Sequence, residues 1–194
     1  MSDSARPRRR RIAAALLVAS LAITLALAAA HRLAPKHLLT VTPGVLYRSA
    51  TLSPEQLARV VDRYGIRTVV NVRSELENEK PWHDAQAELL DEKSVRMVDL
   101  PIDSGHPPNH SSLAGWLDVL ASEAGHPILV HCEYGVLRTG VMTAVYEIEY
   151  LGRSGQESWA SFEFFGGHLE DPIRSRIADW ITHYEPRLGV RPRP

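Results

Sequence analysis

The chain has 194 residues, of which 44% are hydrophobic, and it carries 22 basic and 23 acidic side chains. This length suits one globular domain of about 150 residues with an appendage. Without residues 1–30, which hold five arginines and one aspartate, 17 basic and 22 acidic residues remain. Nucleic-acid binding needs a basic surface, so we expect no nucleic-acid partner. The single cysteine excludes an internal disulfide bond.

The first 30 residues have the pattern of a membrane segment. Residues 1–11 are basic, and Arg8 to Arg11 stand directly before an uncharged run over residues 12–30. This run is close to the roughly 20 apolar residues that span a bilayer, so we expect it to be a transmembrane anchor. The positive flank predicts a cytoplasmic N-terminus and places the rest of the chain outside the cytoplasm, in the periplasm if the source is bacterial. The small residues Ala28 to Ala30 fit the cleavage site of a signal peptide, so a cleaved signal peptide is the alternative.

The remaining chain has the pattern of one α/β domain. Residues 31–44 are predicted to be a linker, residues 45–186 the domain, and residues 187–194 a flexible tail. Short apolar strands alternate with amphipathic helices, which indicates a mostly parallel central sheet flanked by helices. Ligands of such sheets bind beyond the carboxyl ends of the strands. The predicted strands cover residues 45–48, 66–72, 95–102 and 127–130.

The most informative segment joins the fourth predicted strand to a helix. Residues 131–140 read HCEYGVLRTG and contain the cysteine, Cys132. The helix N-terminus, the loop amides and Arg138 all favour the thiolate of Cys132, which makes it a nucleophile. Arg138 follows six residues later, so its planar guanidinium can close the loop around a phosphate. Gly135 permits a positive φ, and the Thr139 hydroxyl is predicted to donate to the sulfur.

The loop between the cysteine and the arginine is predicted to bind the phosphoryl group. His131 is expected to orient this loop from behind. A carboxylate at Glu133 should repel additional phosphates, so we expect a singly phosphorylated substrate. The predicted substrate-binding residues are Glu133, Tyr134, Gly135, Val136, Leu137 and Arg138.

A second catalytic residue is needed because a departing alkoxide or phenoxide must be protonated. Asp103 is the predicted general acid, since it closes the third strand and precedes a loop that contains one glycine and two prolines. Asp99, four residues earlier on the same segment, is the alternative. His106 is the third candidate.

The motif His-Cys-x5-Arg-Thr-Gly resembles the signature of the cysteine-dependent protein tyrosine and dual-specificity phosphatases, with every fixed position present. Residues 44–50 and 68–73 also resemble the opening strands of the atypical dual-specificity branch found in bacteria, which is related to inositol pyrophosphate phosphatases. The resemblance implies a phosphomonoester hydrolase that forms a cysteinyl-phosphate and uses no metal or cofactor. Its expected partners are a phosphorylated protein or a small phosphomonoester. Rhodanese-like sulfurtransferases match less well, because their loop is shorter before the arginine and lacks the Thr-Gly exit.

Other interpretations stay open at this point. A cysteine after an apolar strand is commonly a buried structural residue. The same chemistry could serve a phosphoinositide, an inositol pyrophosphate or a phospholipid headgroup, and an inactive phosphate-binding module would keep the loop without turnover. Arg48 and Arg73 could reach the substrate or form salt bridges within the fold.

The charge asymmetry around residues 12–30 predicts the location of the domain. A C-terminal reporter that functions only outside the cytoplasm should be active, because positive residues stay on the cytoplasmic side. Membranes washed with carbonate should retain the full-length chain if the segment is an anchor. A soluble product that begins at His31 would show cleavage, and reporter activity confined to the cytoplasm would contradict the orientation.

Overall fold

The computed structural model describes residues 15–25, 34–164 and 172–188, and the chain divides into two compact units, Met1–Ala34 and Pro35–Pro194. In the first unit, residues 15–25 form a helix, α1. Within the described ranges, we find no helix that combines the length and apolar character needed to cross a bilayer. The predicted anchor at residues 12–30 extends beyond the described residues on both sides. Residues 189–194 of the predicted tail also lie outside the described residues.

The second unit is an α/β domain built on a five-stranded sheet. Its strands are β1 (Leu39–Thr42), β2 (Leu46–Ala50), β3 (Thr68–Asn71), β4 (Arg96–Asp99) and β5 (Ile128–Cys132). The order across the sheet is β1-β2-β5-β3-β4, and every neighbouring pair is parallel except β1 and β2. The predicted, mostly parallel sheet is therefore confirmed.

Helices cover both faces of the sheet. They are α2 (Pro54–Tyr64), α3 (Glu75–Asn78), α4 (Pro81–Glu92), α5 (His110–Ala121), α6 (Leu137–Leu151), α7 (Gly155–Phe164) and α8 (Ile173–Thr182). One core cluster joins the sheet to α5 and α6, and a second joins the other face to α2 and α4. A third cluster packs α7 and α8 against the outer side of α6. Each face of the sheet is thus shielded from water, as a parallel sheet requires.

Two local features differ from the sequence analysis. Strand β1 lies inside residues 31–44, which the sequence suggested to be a linker, and it pairs antiparallel with β2. Strand β4 ends at Asp99 and not at residue 102. Leu100 still donates to the carbonyl of Asn71 at 2.9 Å, but Pro101 follows and has no N–H to continue the ladder. Asp103 consequently lies in a loop after the strand and does not close it.

The position of β5 determines where the cysteine lies. This strand is flanked by β2 and β3, and all five of its residues are buried. Its last residue, Cys132, therefore reaches the carboxyl edge near the middle of the sheet. The chain then turns within four residues into α6, and Gly140 of that helix lets α7 approach closely. A Cβ at Gly140 would lie 2.6 Å from Cδ2 of Phe162.

Candidate active site

The turn between β5 and α6 forms the base of the candidate site. Cys132 is 2% exposed, and Gly135 at the crest of the turn has a φ of +70°. A Cβ on Gly135 would lie 2.5 Å from the backbone atoms of Ser49 and Ala50, which cannot move aside. Glycine is required there for both its conformation and its size. The loop is therefore pressed against the end of β2.

A cleft of about 420 Å³ opens above this loop. It brings together the predicted nucleophile Cys132, the predicted phosphate-binding Arg138 and the predicted acid Asp103. Gly135 is buried against β2, and His131 and Thr139 are buried beside the cleft without lining it. The lining residues are Ser74, Glu77, Asp103, Ser104, Cys132, Glu133, Tyr134, Val136, Leu137 and Arg138.

Arg138 is held in place by Glu77, a residue that the sequence analysis did not identify. The terminal nitrogens Nη1 and Nη2 of Arg138 donate to the two carboxylate oxygens of Glu77, the second at 3.2 Å. Nη1 also lies 3.5 Å from the carbonyl of Ile102. These contacts occupy the end of the guanidinium and leave its Nε and Nη2 edge to bind a phosphoryl group. Glu77 thus fixes the orientation of the predicted phosphate-binding group.

Glu77 is itself fixed by two further residues, Ser74 and Arg73. Its carboxylate accepts from the backbone N and Oγ of Ser74 at 2.9 and 2.8 Å, and Arg73 Nη2 lies 3.2 Å from Oε1. The Arg73 guanidinium stacks 4.3 Å from the centre of the Trp82 ring. Arg73 also donates to Thr51 Oγ1 at 3.0 Å. For Arg73, the salt bridge within the fold is therefore the correct interpretation.

The electrostatics of this pair follow from its contacts. Burial alone would raise the pKa of Glu77, but the hydrogen bonds from Arg138 and Ser74 lower it to about 2. Burial would lower the pKa of Arg138, whereas Glu77 and the nearby Cys132 raise it above its ordinary value. Both groups are therefore ionised at neutral pH. The spacing Ser74-x-x-Glu77 is a helix-capping pattern and is the local signal that could have drawn attention to Glu77.

His131 precedes the loop on β5, and Thr139 follows it on α6. The His131 ring is fully buried and meets Trp82 edge-on, with their centroids 6.4 Å apart. Burial and the nearby Arg73 lower the pKa of His131 to about 4, so the ring is neutral at neutral pH. The Thr139 hydroxyl is buried and makes no hydrogen bond to any residue that the structure describes, so the predicted bond to the sulfur is not formed here.

The two aspartates proposed as acids occupy different surroundings. Asp103 is exposed and lines the cleft opposite the cysteine loop. Asp99 accepts from Asn71 Nδ2 at 2.7 Å, and His83 Nε2 lies 3.1 Å from both carboxylate oxygens. His106 lines a neighbouring groove of about 470 Å³, which shares Asp103 with the cleft. The geometry favours Asp103, since it alone of the three lines the cleft.

A parallel sheet that delivers a cysteine into a loop closed by an arginine at a helix start defines the class of cysteine-dependent phosphatases. Residues 39–164 match the family described as "DSP-PTPase phosphatase fused to NAD+ Kinase", and the chain belongs to this family. A similar curated protein is the dual specificity protein phosphatase TpbA of Pseudomonas aeruginosa, 29% identical over 133 residues. That match covers 69% of this chain and 56% of TpbA. Protein tyrosine phosphatase type IVA 3 of Bos taurus is 27% identical over 147 residues, covering 74% of this chain and 77% of that protein.

Solved structures show the same fold. The core catalytic domain of the PP-IP phosphatase SIW14 from S. cerevisiae superimposes with a TM-score of 0.64 at 18% identity, covering 78% of this chain and 86% of that one. The C132S form of P. aeruginosa TpbA in complex with pTyr has a TM-score of 0.57 at 22% identity, with coverages of 76% and 83%. At such identities, the likeness establishes the fold that these chains share.

Replacing Glu77 by Gln should separate the orientation of Arg138 from its charge. The amide cannot accept charged hydrogen bonds at both positions, so we expect kcat/KM on an aryl phosphate to fall about 100-fold through misplacement of Arg138. Because the pKa of Glu77 is depressed, its contribution to stability is complete above the ordinary glutamate value of 4.5 and is lost as the pH falls through about 2. The variant should lack this part of the acid dependence.

Urea denaturation of the parent and of Glu77→Gln, at pH values between 2 and 7, measures the free energy of unfolding and its acid dependence. Glu88→Gln is the matched control, because Glu88 is an exposed residue of the neighbouring helix α4. A Glu77 variant with the same acid dependence and the same kcat/KM as the parent would contradict the assigned role.

Proposed function

We propose that this chain is a phosphomonoester hydrolase of the protein tyrosine or dual-specificity type, acting through a cysteinyl-phosphate and using no metal. One observation carries the proposal: a single cleft contains Cys132, an oriented Arg138 and an exposed Asp103. A nucleophile, a cationic phosphate ligand and a proton donor are the three groups that this reaction needs. The proposed roles extend to the amides of residues 133–138, which bind the phosphoryl oxygens.

In the first step, the Cys132 thiolate attacks phosphorus and forms a P–S bond as the P–O bond to the leaving group breaks. Asp103 gives its proton to the departing oxygen. The negative charge on the equatorial oxygens is stabilised by the loop amides and by the free edge of Arg138. Because Glu77 already fixes Arg138, little reorganisation is needed when the phosphoryl group arrives.

In the second step, the Asp103 carboxylate accepts a proton from a water molecule, and the water oxygen attacks phosphorus. The P–S bond breaks, the electron pair returns to sulfur, and inorganic phosphate leaves. Asp103 is then protonated again and Cys132 is again a thiolate, so the cycle is complete. The same carboxyl group serves as acid and then as base, as the two half-reactions demand.

The charge of the cleft supports a singly phosphorylated substrate. Arg138 is the one cation among the described lining residues, whereas Glu77, Asp103 and Glu133 contribute carboxylates. Glu75 extends this acidic character into the neighbouring groove. Such a rim disfavours a second phosphate, which argues against an inositol pyrophosphate. We therefore propose a phosphorylated protein as the substrate, in keeping with the phosphotyrosine complex of the similar TpbA.

We also propose that residues 12–30 anchor the domain to a membrane and place it outside the cytoplasm. The basic residues before this run and its uncharged composition support the proposal. Within the helix at residues 15–25, the two polar side chains are Ser20 and Thr24. Their hydroxyls donate to the carbonyls of Leu17 and Ser20, each at 2.9 Å, so the helix satisfies its own polar groups as a bilayer requires.

Cys132→Ser should abolish turnover while leaving phosphate or vanadate binding, since the loop amides and Arg138 remain. Loss of a covalent nucleophile should lower kcat by at least about a thousandfold. Steady-state hydrolysis of an aryl phosphate and vanadate titration measure the two properties, and the melting temperature serves as the control for folding. Near-normal turnover by the variant would refute the mechanism, and binding without turnover in the parent would indicate an inactive module. Addition of EDTA to the parent should have no effect.

Asp103→Asn should lower kcat mainly on substrates whose leaving group needs a proton, which would identify Asp103 as the general acid. A poor leaving group such as the phenol of tyrosine needs a proton, so kcat on phosphotyrosine should fall about 100-fold or more. A highly activated aryl phosphate should lose little, and the alkaline limb of the pH profile on phosphotyrosine should disappear. Asp99→Asn is the matched control, because Asp99 is bonded to Asn71 and His83 and should show no such contrast. A contrast in the Asp99 variant, or in neither, would overturn the assignment.

A further inference from the structure

Arg48 is a buried cation beneath the cysteine loop. On β2 it pairs in parallel register with Val130, and Ala50 pairs with Cys132. Paired residues of neighbouring strands point to the same face of a sheet, so Arg48 and Cys132 both point to the face covered by α6. Arg48 is 3% exposed, although its strand neighbour Leu46 on that face belongs to the apolar core. A guanidinium in this position requires specific partners.

The first partners are two carbonyl groups of the cysteine loop. Arg48 Nη2 donates to the carbonyl of Gly135 at 2.7 Å and to that of Val136 at 3.3 Å. In a trans peptide unit, the carbonyl and the following N–H point in opposite directions. By holding the carbonyl of Gly135 on the β2 side, Arg48 turns the N–H of Val136 away from itself. The carbonyl of Val136 also accepts from the N–H of Gly140 at 2.8 Å, so α6 itself orients the next peptide. One amide of the cysteine loop thus depends on the Arg48 side chain.

The second kind of partner is an anion, which the guanidinium needs because it also lies beside the positive end of a helix. A Cβ at Gly140 would lie 3.6 Å from Arg48 Nη2, which places the guanidinium beside the first turn of α6, the positive end of that helix dipole. Burial lowers the pKa of Arg48, and the nearby Cys132 and Glu147 oppose this effect. Glu147 is buried on α6, and its Oε1 lies 3.1 Å from Nη1 of Arg153. Glu147 and the proposed nucleophile Cys132 are thus the two groups whose negative charge acts on the buried cation.

We propose that Arg48 is a positioning residue of the reaction, which aims the Val136 amide at the phosphoryl group and favours the thiolate form of Cys132 from beneath the loop. The proposal rests on the proposed function, in which Cys132 is the nucleophile. Cys132 then has two cationic neighbours, Arg138 from α6, which is paired with Glu77, and Arg48 from β2. Arg48 is thus neither a substrate ligand nor a simple salt-bridge partner.

The alkylation of the single cysteine by iodoacetamide, followed against pH, tests the electrostatic part. Arg48→Gln should raise the midpoint of this profile, because it removes a cation from the face of the sheet that carries the sulfur. Glu147→Gln is the matched variant. It removes the competing anion, so the midpoint should stay or fall. A purely structural role would disturb both variants in the same direction.

Vanadate protection against alkylation tests the positioning part. Arg48→Lys keeps the charge but replaces a planar donor with a compact ammonium, so the midpoint should stay near that of the parent while the vanadate affinity falls about tenfold. A folded Arg48→Gln protein with an unchanged midpoint and unchanged affinity would overturn the proposal. If Arg48→Gln does not fold, two other results would overturn the proposal. They are an Arg48→Lys protein with the vanadate affinity of the parent, and a Glu147→Gln protein with a raised midpoint. Failure of the parent to hydrolyse aryl phosphates would refute the proposed function instead, because alkylation needs no turnover.

Discussion

The ion pair between Arg138 and Glu77 is the interaction on which the candidate site depends. It fixes a buried guanidinium at the start of α6 and connects that helix to α3, on the other side of the cleft. Removing one member of a buried pair leaves the other charge without compensation, which is far more costly than the pair is stabilising. Arg73 and Ser74 surround the carboxylate with further donors, so the orientation of Arg138 is set before any phosphate arrives.

The rest of the site is a balance of positive charge around one sulfur. The turn after β5 presents amides, α6 contributes the positive end of its dipole, and two arginines approach from different elements. So much positive charge in a buried place is stable only with anions nearby. Glu77 and Glu147 supply two of them. Glu133 and Asp103 add carboxylates at the outer part of the cleft.

Packing explains why these groups can be held so closely. The sheet is covered on both faces, and the cysteine loop packs so closely on the end of β2 that a Cβ at Gly135 would overlap its backbone. Asp103, in contrast, lies on an exposed loop beyond the end of β4. A buried loop beside a more accessible one is a common division in enzymes, whose functional loops are positioned by a scaffold.

The sequence by itself determined the alternation of strands and helices, the parallel sheet and the loop from Cys132 to Arg138. These features are local: hydrophobic periodicity and a separation of six residues are enough to define them. Only the tertiary structure assigned Glu77 to Arg138, 61 residues away, and Arg48 to the carbonyl of Gly135, 87 residues away. It also ended β4 before Asp103. The physical reason is that the packing of distant segments decides which group lies beside a buried charge. The separation of two residues along the chain does not predict that pairing.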